Sequence, residues 1–197
     1  MRSRRIVLAS TSRYRRELLS RLGLAFDVVT PSVDEATLPN ETPAATASRL
    51  AEAKARAVAA TERDAIVIGA DQVADCDGTA VSKPIDHADA QRMLTWLAGR
   101  TVVFHTAVAV IDAATGQLQS DRVDVASTFR SLSTAEIDTY LDRERPYDCA
   151  GAVKSEALGI VLFDRIASDD PTALIGLPLI AVARMLRHAG VDPLAAS

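Results

Sequence analysis

Ala65-Ile66-Val67-Ile68-Gly69-Ala70-Asp71 is the stretch on which the fold turns. An unbroken apolar run of this length suits a central strand covered on both faces, as in α/β proteins built on largely parallel sheets. Ligands of such open sheets bind beyond the carboxyl ends of the strands, and Asp71 stands at the end of this run. Such a carboxylate can bind a metal ion, take a proton from water, or form a turn by bonding its own backbone.

Working outward, Pro43 to about Arg63 is Ala-rich with Leu50 and Lys54 four apart, and reads as a long helix. Further upstream, Ile6-Val7-Leu8-Ala9 is a short strand and Ser10-Thr11-Ser12 supplies N-cap residues. The helix that follows, Arg15 to Leu22, is stopped by Gly23, and Ala25 to Val29 is a second strand. Downstream, Asp77-Gly78 is a turn, Lys83-Pro84 is extended, and Ala88 to Leu97 is a helix closed by Gly99. Thr101–Ile111 and Gln117–Thr128 form two strands joined around Thr115-Gly116. Ser133-Thr134-Ala135-Glu136 is a capping box opening a helix to about Arg145. Gly159 to Phe163 reads as a strand, and Pro178 starts a last helix over Leu179 to Leu186.

The chain has 197 residues, 48% hydrophobic and 24% charged, enough for one globular domain over 1–197. A net charge of -4 supplies no global basic field, so nucleic acid is not an expected partner. No apolar stretch approaches the ~18 residues that cross a bilayer, so no membrane is expected. Cys76 and Cys149 form no C-x-x-C pair, and Met1-Arg2-Ser3-Arg4-Arg5 leads into only a short apolar run. A reducing cytoplasm is the expectation. His87, His105 and His188 lie too far apart in sequence for a local metal pair, and with Cys76 and Trp96 they read as structural. The oligomeric state is open, and a homodimer is compatible with these residues.

Of 22 Lys and Arg residues only three are Lys: Lys54, Lys83 and Lys154. Lysine is a compact point charge suited to a single phosphate oxygen, so each is a candidate ligand. Seven of the first twenty-one residues are Arg against one acid, Glu17. A strand feeding a Ser-rich turn and a helix is a ready anion site, because the first helical N–H groups lack partners and the dipole is positive there. Arg13, Arg15 and Arg16 in that turn oppose the dipole, at roughly a few tenths of a kcal/mol per charge, unless an anion sits between them. The turn is therefore a polyphosphate site or an exposed basic patch with Ser12 capping the helix. Asp34-Glu35 could add a carboxylate to a Mg²⁺ or Mn²⁺ held between protein and phosphate oxygens, or be an exposed acidic loop.

Leu8-Ala9-Ser10-Thr11-Ser12-Arg13-Tyr14-Arg15-Arg16, Val33-Asp34-Glu35, Ala53-Lys54-Ala55, Gly69-Ala70-Asp71-Gln72, Lys83-Pro84 and Gly176-Leu177-Pro178-Leu179 together resemble the ordered motif series of the Maf family of nucleotide pyrophosphatases. The resemblance implies an elongated α/β fold: a mixed twisted sheet flanked by helices, in two lobes with the site in a cleft between them. It implies hydrolysis of a nucleoside triphosphate between its α and β phosphates with a divalent cation. By that match Asp71 is the general base, and Ser10, Arg15, Arg16, Lys54 and Lys83 hold the triphosphate. Glu35 and Asp71 are the metal candidates.

Cys149-Ala150-Gly151-Ala152-Val153-Lys154-Ser155-Glu156 resembles the branch of that family acting on N7-methyl-GTP. Guanine offers N1–H and N2–H side by side, and a carboxylate such as Glu156 can accept both. Methylation at N7 leaves a positive charge that favours an aromatic face, which Tyr14 could supply. Gln72 joins Tyr14 and Glu156 as a specificity position. Tyr14 packing on its own helix, and Glu156 pairing with Lys154 at the surface, are the structural alternatives. The chain departs from the branch pattern at Arg13, Tyr14, Ser82 and Ala157, where Pro, Trp, Gly and Gly are usual. The alternative functions are a dTTP/UTP pyrophosphatase with the same chemistry, and a module that binds methylated guanine without hydrolysis.

Overall fold

The computed structural model describes residues 4–195; Met1-Arg2-Ser3, the start of the Arg-rich segment, lies outside the described residues. The strands are β1 (Arg5–Ala9), β2 (Asp27–Val29), β3 (Ala65–Cys76), β4 (Thr79–Val81), β5 (Thr101–Asp112), β6 (Gln117–Phe129) and β7 (Phe163–Ala167). The helices are α1 (Arg13–Ser20), α2 (Pro43–Ala59), α3 (His87–Leu97), α4 (Thr134–Glu144) and α5 (Leu179–His188). They build a seven-stranded sheet ordered β2-β1-β3-β5-β6-β7, with β4 paired to β3. The first three strands of that order run parallel, and β3, β5, β6 and β7 pair antiparallel.

Alternation along the strands divides the interior. Ile6, Leu8, Ile66 and Ile68 point to one face and meet Leu18 and Leu19 of α1 and Val182 and Met185 of α5. Val7, Ala9 and Val67 point to the other and meet Ala47, Ala51, Ala55 and Val58 of α2. A third cluster lies over the far ends of β3, β5 and β6, where Leu94, Leu97, Ile137 and Leu141 of α3 and α4 pack on Phe104, Val125 and Phe129. Each such fully buried side chain contributes about 1.5–3 kcal/mol. The first two clusters sandwich the β1–β3 part of the sheet and the third covers its far end, giving two lobes through which the three long strands run.

Asp71 is not at the end of its strand. β3 continues to Cys76 because β5 goes on pairing with it, from Ile66 opposite Asp112 to Asp75 opposite Val103. The end that matters belongs to the parallel neighbour: β1 stops at Ala9, opposite Gly69, so Asp71 lies just past it and beside the turn into α1. Gly69 sets the spacing of the next layer. A Cβ there would lie 2.4 Å from Ala51 O and 2.6 Å from Ala55 N, so only glycine lets α2 sit this close to β3.

The second departure is at Leu158–Leu162, a 3₁₀ turn instead of a strand, with β7 starting at Phe163. The Leu158 N–H donates to Glu144 Oε2 (3.1 Å) and Gly159 N–H to Lys154 O (3.1 Å), which curls the chain back before it can extend. α1 begins at Arg13, α2 ends at Ala59 and β2 starts at Asp27, differences of a few residues at frayed ends.

Candidate active site

A cleft of about 730 Å³ opens between the lobes, with walls from the Thr11–Arg15 turn, the 35–54 segment, β3, the β4–α3 loop, residues 148–156 and Leu174–Gly176. At its floor Lys54 emerges from α2, brought to β3 by the close approach at Gly69. Its Nζ lies 2.7 Å from Asp71 Oδ1 and 2.8 Å from Glu35 Oε1. Lys54 and Asp71 are almost completely buried, whereas Glu35 is exposed. Lys54, read from the sequence as a phosphate ligand, is here the cation that joins both metal candidates.

The turn into α1 is built on two serines. Ser10 Oγ accepts from the Ser12 N–H (3.1 Å), and Ser12 Oγ caps the helix by accepting from the Arg15 N–H (3.4 Å). Arg15 turns inward and donates from Nε to Gly176 O (3.0 Å). Burial pulls its guanidinium below the ordinary value, against the opposing charges of Asp71 and Glu35. A partly desolvated cation whose Nε is held by a backbone carbonyl is suited to an anion. The carbonyl it uses is fixed from behind: buried Asp170 accepts from the Thr172 N–H and hydroxyl and the Ile180 N–H, pinning both ends of the 172–180 segment.

The sequence-derived candidates do not all converge. Asp71, Arg15, Lys54, Lys83, Glu35, Tyr14, Gln72 and Glu156 line the cleft. Ser10 is buried just behind the turn and Arg16 is exposed, neither of them in the lining. The Gln72 amide nitrogen is engaged by Thr106 Oγ1 (2.8 Å) and by the carbonyls of Ala173 (2.9 Å) and Leu174 (3.1 Å), so it ties β3 to the 173–174 turn. Lys154 does not meet Glu156: its Nζ is 2.7 Å from Glu144 Oε1, and the pair orders the loop on which Glu156 is presented.

Two lining residues not singled out in sequence, Asp148 and Glu41, brace opposite walls. Tyr14 Oη donates to Asp148 Oδ2 (3.1 Å) and accepts from Arg13 Nη2 (2.6 Å), with Cys149 Sγ 3.7 Å away. Burial raises the Tyr14 hydroxyl and lifts the Cys149 thiol to about 11, so both stay protonated at neutral pH. Glu41 braces the opposite wall through two bonds to Arg49 (2.6 and 2.7 Å), which hold its carboxyl at about 2. The only sequence signal for Asp148 is its place directly before Cys149-Ala150-Gly151; its contact with Tyr14 spans 134 positions.

Relatives agree on the kind of protein this is. A family model described as Maf-like protein matches residues 5–189. The 7-methyl-GTP pyrophosphatase of Ralstonia nicotianae is 56% identical over 183 residues, 93% of this chain and 94% of that protein. Proteins of the same name from Cupriavidus metallidurans and Aromatoleum aromaticum are 55% identical over 185 residues and 56% identical over 191. These alignments cover 94% and 97% of this chain and 93% and 98% of those proteins.

Proposed function

The chain belongs to the Maf-like protein family, and on that premise we propose that it hydrolyses 7-methyl-GTP to 7-methyl-GMP and pyrophosphate. The observation that carries the reading is the buried Asp71 carboxylate, held by Lys54 on the cleft floor beside the α1 N-terminus and Arg15. A module that only binds the base has no need of a carboxylate there. Lys54 fixes Oδ1, leaving Oδ2 to take a proton from water. The water oxygen bonds to the α-phosphorus, the bond to the bridging oxygen breaks, and pyrophosphate leaves with the electron pair. Arg15, Lys83 and the first-turn N–H groups hold the phosphate oxygens, and Glu156 accepts from guanine N1–H and N2–H.

Asp71 and Glu35 each give one carboxylate oxygen to Lys54 Nζ, and their second oxygens take no part in those two contacts. Among the described residues no three His, Cys, Asp or Glu side chains form a metal cage. Two carboxylates completed by substrate phosphate are what Mg²⁺ or Mn²⁺ accepts, so the residues fit that cation. When bound, it would neutralise charge building on the phosphates. Among the described residues no helix is long and apolar enough to cross a membrane.

A panel of 7-methyl-GTP, GTP, UTP and dTTP, with products separated by ion chromatography with and without EDTA, tests this reading. Pyrophosphate from 7-methyl-GTP, abolished by EDTA, is expected. Orthophosphate as the product would reject attack at the α-phosphorus, and preference for UTP or dTTP would favour the pyrimidine enzyme.

A further inference from the structure

Arg13, Tyr14 and Asp148 already hold a planar cation together. The Arg13 guanidinium carbon lies 4.7 Å from the centre of the Tyr14 ring, and its Nη2 is 3.1 Å from Asp148 Oδ2. A guanidinium stacked on an aromatic ring and paired with a carboxylate is a close chemical analogue of the delocalised imidazolium half of an N7-methylated guanine. Tyr14 and Asp148 line the cleft, and Arg13 is not part of that lining. The ring and carboxylate that bind the protein's own cation therefore also face the ligand space.

Two carboxylates, Asp148 and Glu156, stand on this wall, with Arg13 as the cation beside Asp148. Asp148 and Glu156 both act on the Cys149 thiol, which burial chiefly and these two charges in addition keep neutral. Burial works against ionised Asp148, but the Tyr14 hydroxyl and the Arg13 charge outweigh it and hold the carboxyl below its ordinary value. The nearest lysine in sequence, Lys154, is taken by Glu144. Arg13 is well exposed, and an ion pair in water is worth little, so it does not compete strongly with a second cation at the same carboxylate.

We propose that Asp148, backed by the Tyr14 ring, is a specificity residue that receives the positive charge of the N7-methylated base. Unmethylated guanine presents a neutral ring with a lone pair at N7, which a carboxylate repels. The same group thus attracts one base and disfavours the other, and discrimination by repulsion is as effective as discrimination by attraction. Glu156 reads the opposite edge, common to both bases, so the two carboxylates divide recognition: Glu156 for guanine and Asp148 for its methylation.

This inference rests on the proposed pyrophosphatase activity, and the test separates the two. Steady-state kcat/KM is measured for 7-methyl-GTP and GTP in the wild type, Asp148→Asn and Arg13→Ala. Asp148→Asn keeps the shape and an acceptor for Tyr14 while removing the charge. Its preference for the methylated nucleotide should fall by about tenfold, mainly through KM for 7-methyl-GTP. Arg13→Ala removes a cation that competes only weakly and should raise the preference by no more than about fivefold. A wild type inactive on both nucleotides would overturn the activity and this inference together. A wild type active on 7-methyl-GTP whose preference Asp148→Asn leaves unchanged, with equal loss on both substrates, would overturn the role of Asp148 alone. Because an Asn variant could fold poorly, dissociation constants of wild type for 7-methyl-GMP and GMP at 50 and 500 mM salt form a second arm. Selective weakening of the methylated ligand is expected, and equal weakening would count against the charge.

Discussion

The two ends of the cleft are built in opposite ways. Around Asp71 the side chains are buried and bound at short distances, with Lys54 clamped between two carboxylates and Arg15 anchored to a carbonyl that Asp170 holds from behind. Around Glu156 they are exposed or half-exposed, on a loop held from α4 by the Lys154–Glu144 pair, the Leu158 N–H bond to Glu144 and the Tyr140 hydroxyl, which joins Ala152 O to the Lys154 N–H. The proposed reaction geometry is thus set by the sheet and α2, while the proposed base contacts lie on loops that can vary without disturbing it.

Substitutions at the two ends should therefore fail differently. Asp71→Asn should reduce pyrophosphate release by about 10²–10⁴-fold on every nucleotide while the chain stays folded, and retained turnover would remove Asp71 as base. Gly69→Ala should damage the rigid end through its backbone. The added Cβ must push α2 away, with stability falling by about 1–3 kcal/mol in urea unfolding and Lys54 drawn off Asp71. A variant as stable and active as wild type would show that α2 yields more easily than its contacts indicate.

At the soft end, Glu156→Gln should lower kcat/KM for guanine substrates by about tenfold, with little change on UTP and no change in melting temperature. Equal losses on both would sink the base-edge reading. The smallest effect concerns acid. Glu41, held at about 2 by Arg49, and Asp112, held at about 2 by Arg4, are both depressed in the folded state. Their stabilisation is complete above the ordinary values of 4.5 and 3.8 and is lost as pH falls toward 2. Denaturant midpoints for Glu41→Gln and wild type should differ at pH 7 and converge near pH 2. A gap that persists at low pH would assign Glu41 a purely steric role.

What could be read from the chain follows the same division. The apolar run at Ala65, the Ser-rich turn and the Leu50–Lys54 spacing are local signals, and local physics places them correctly. Asp71 at a strand end was right about the neighbourhood and wrong about the strand, because antiparallel pairing with β5 carries β3 past a polar residue that periodicity treats as a stop. Arg16 and Arg15 look alike in sequence, yet helical rotation exposes one and turns the other inward. Asp148 meeting Tyr14, and Lys154 choosing Glu144 over Glu156, depend on how distant segments pack, which no spacing rule encodes.

The ladder joining β3 to β5 pairs every residue from Ile66 to Asp75, and it passes directly beneath Asp71. A floor pinned on this scale cannot act as a hinge without rupturing its own backbone bonds, so of the adjacent Asp71 and Gln72 amides the one that points to β5 should be among the slowest in the chain to exchange with deuterium. Any adjustment around a bound nucleotide therefore falls to the rim: the Thr11–Tyr14 turn on one side and residues 148–156 on the other. The segments proposed to contact the base are thereby also the ones with room to adapt to it.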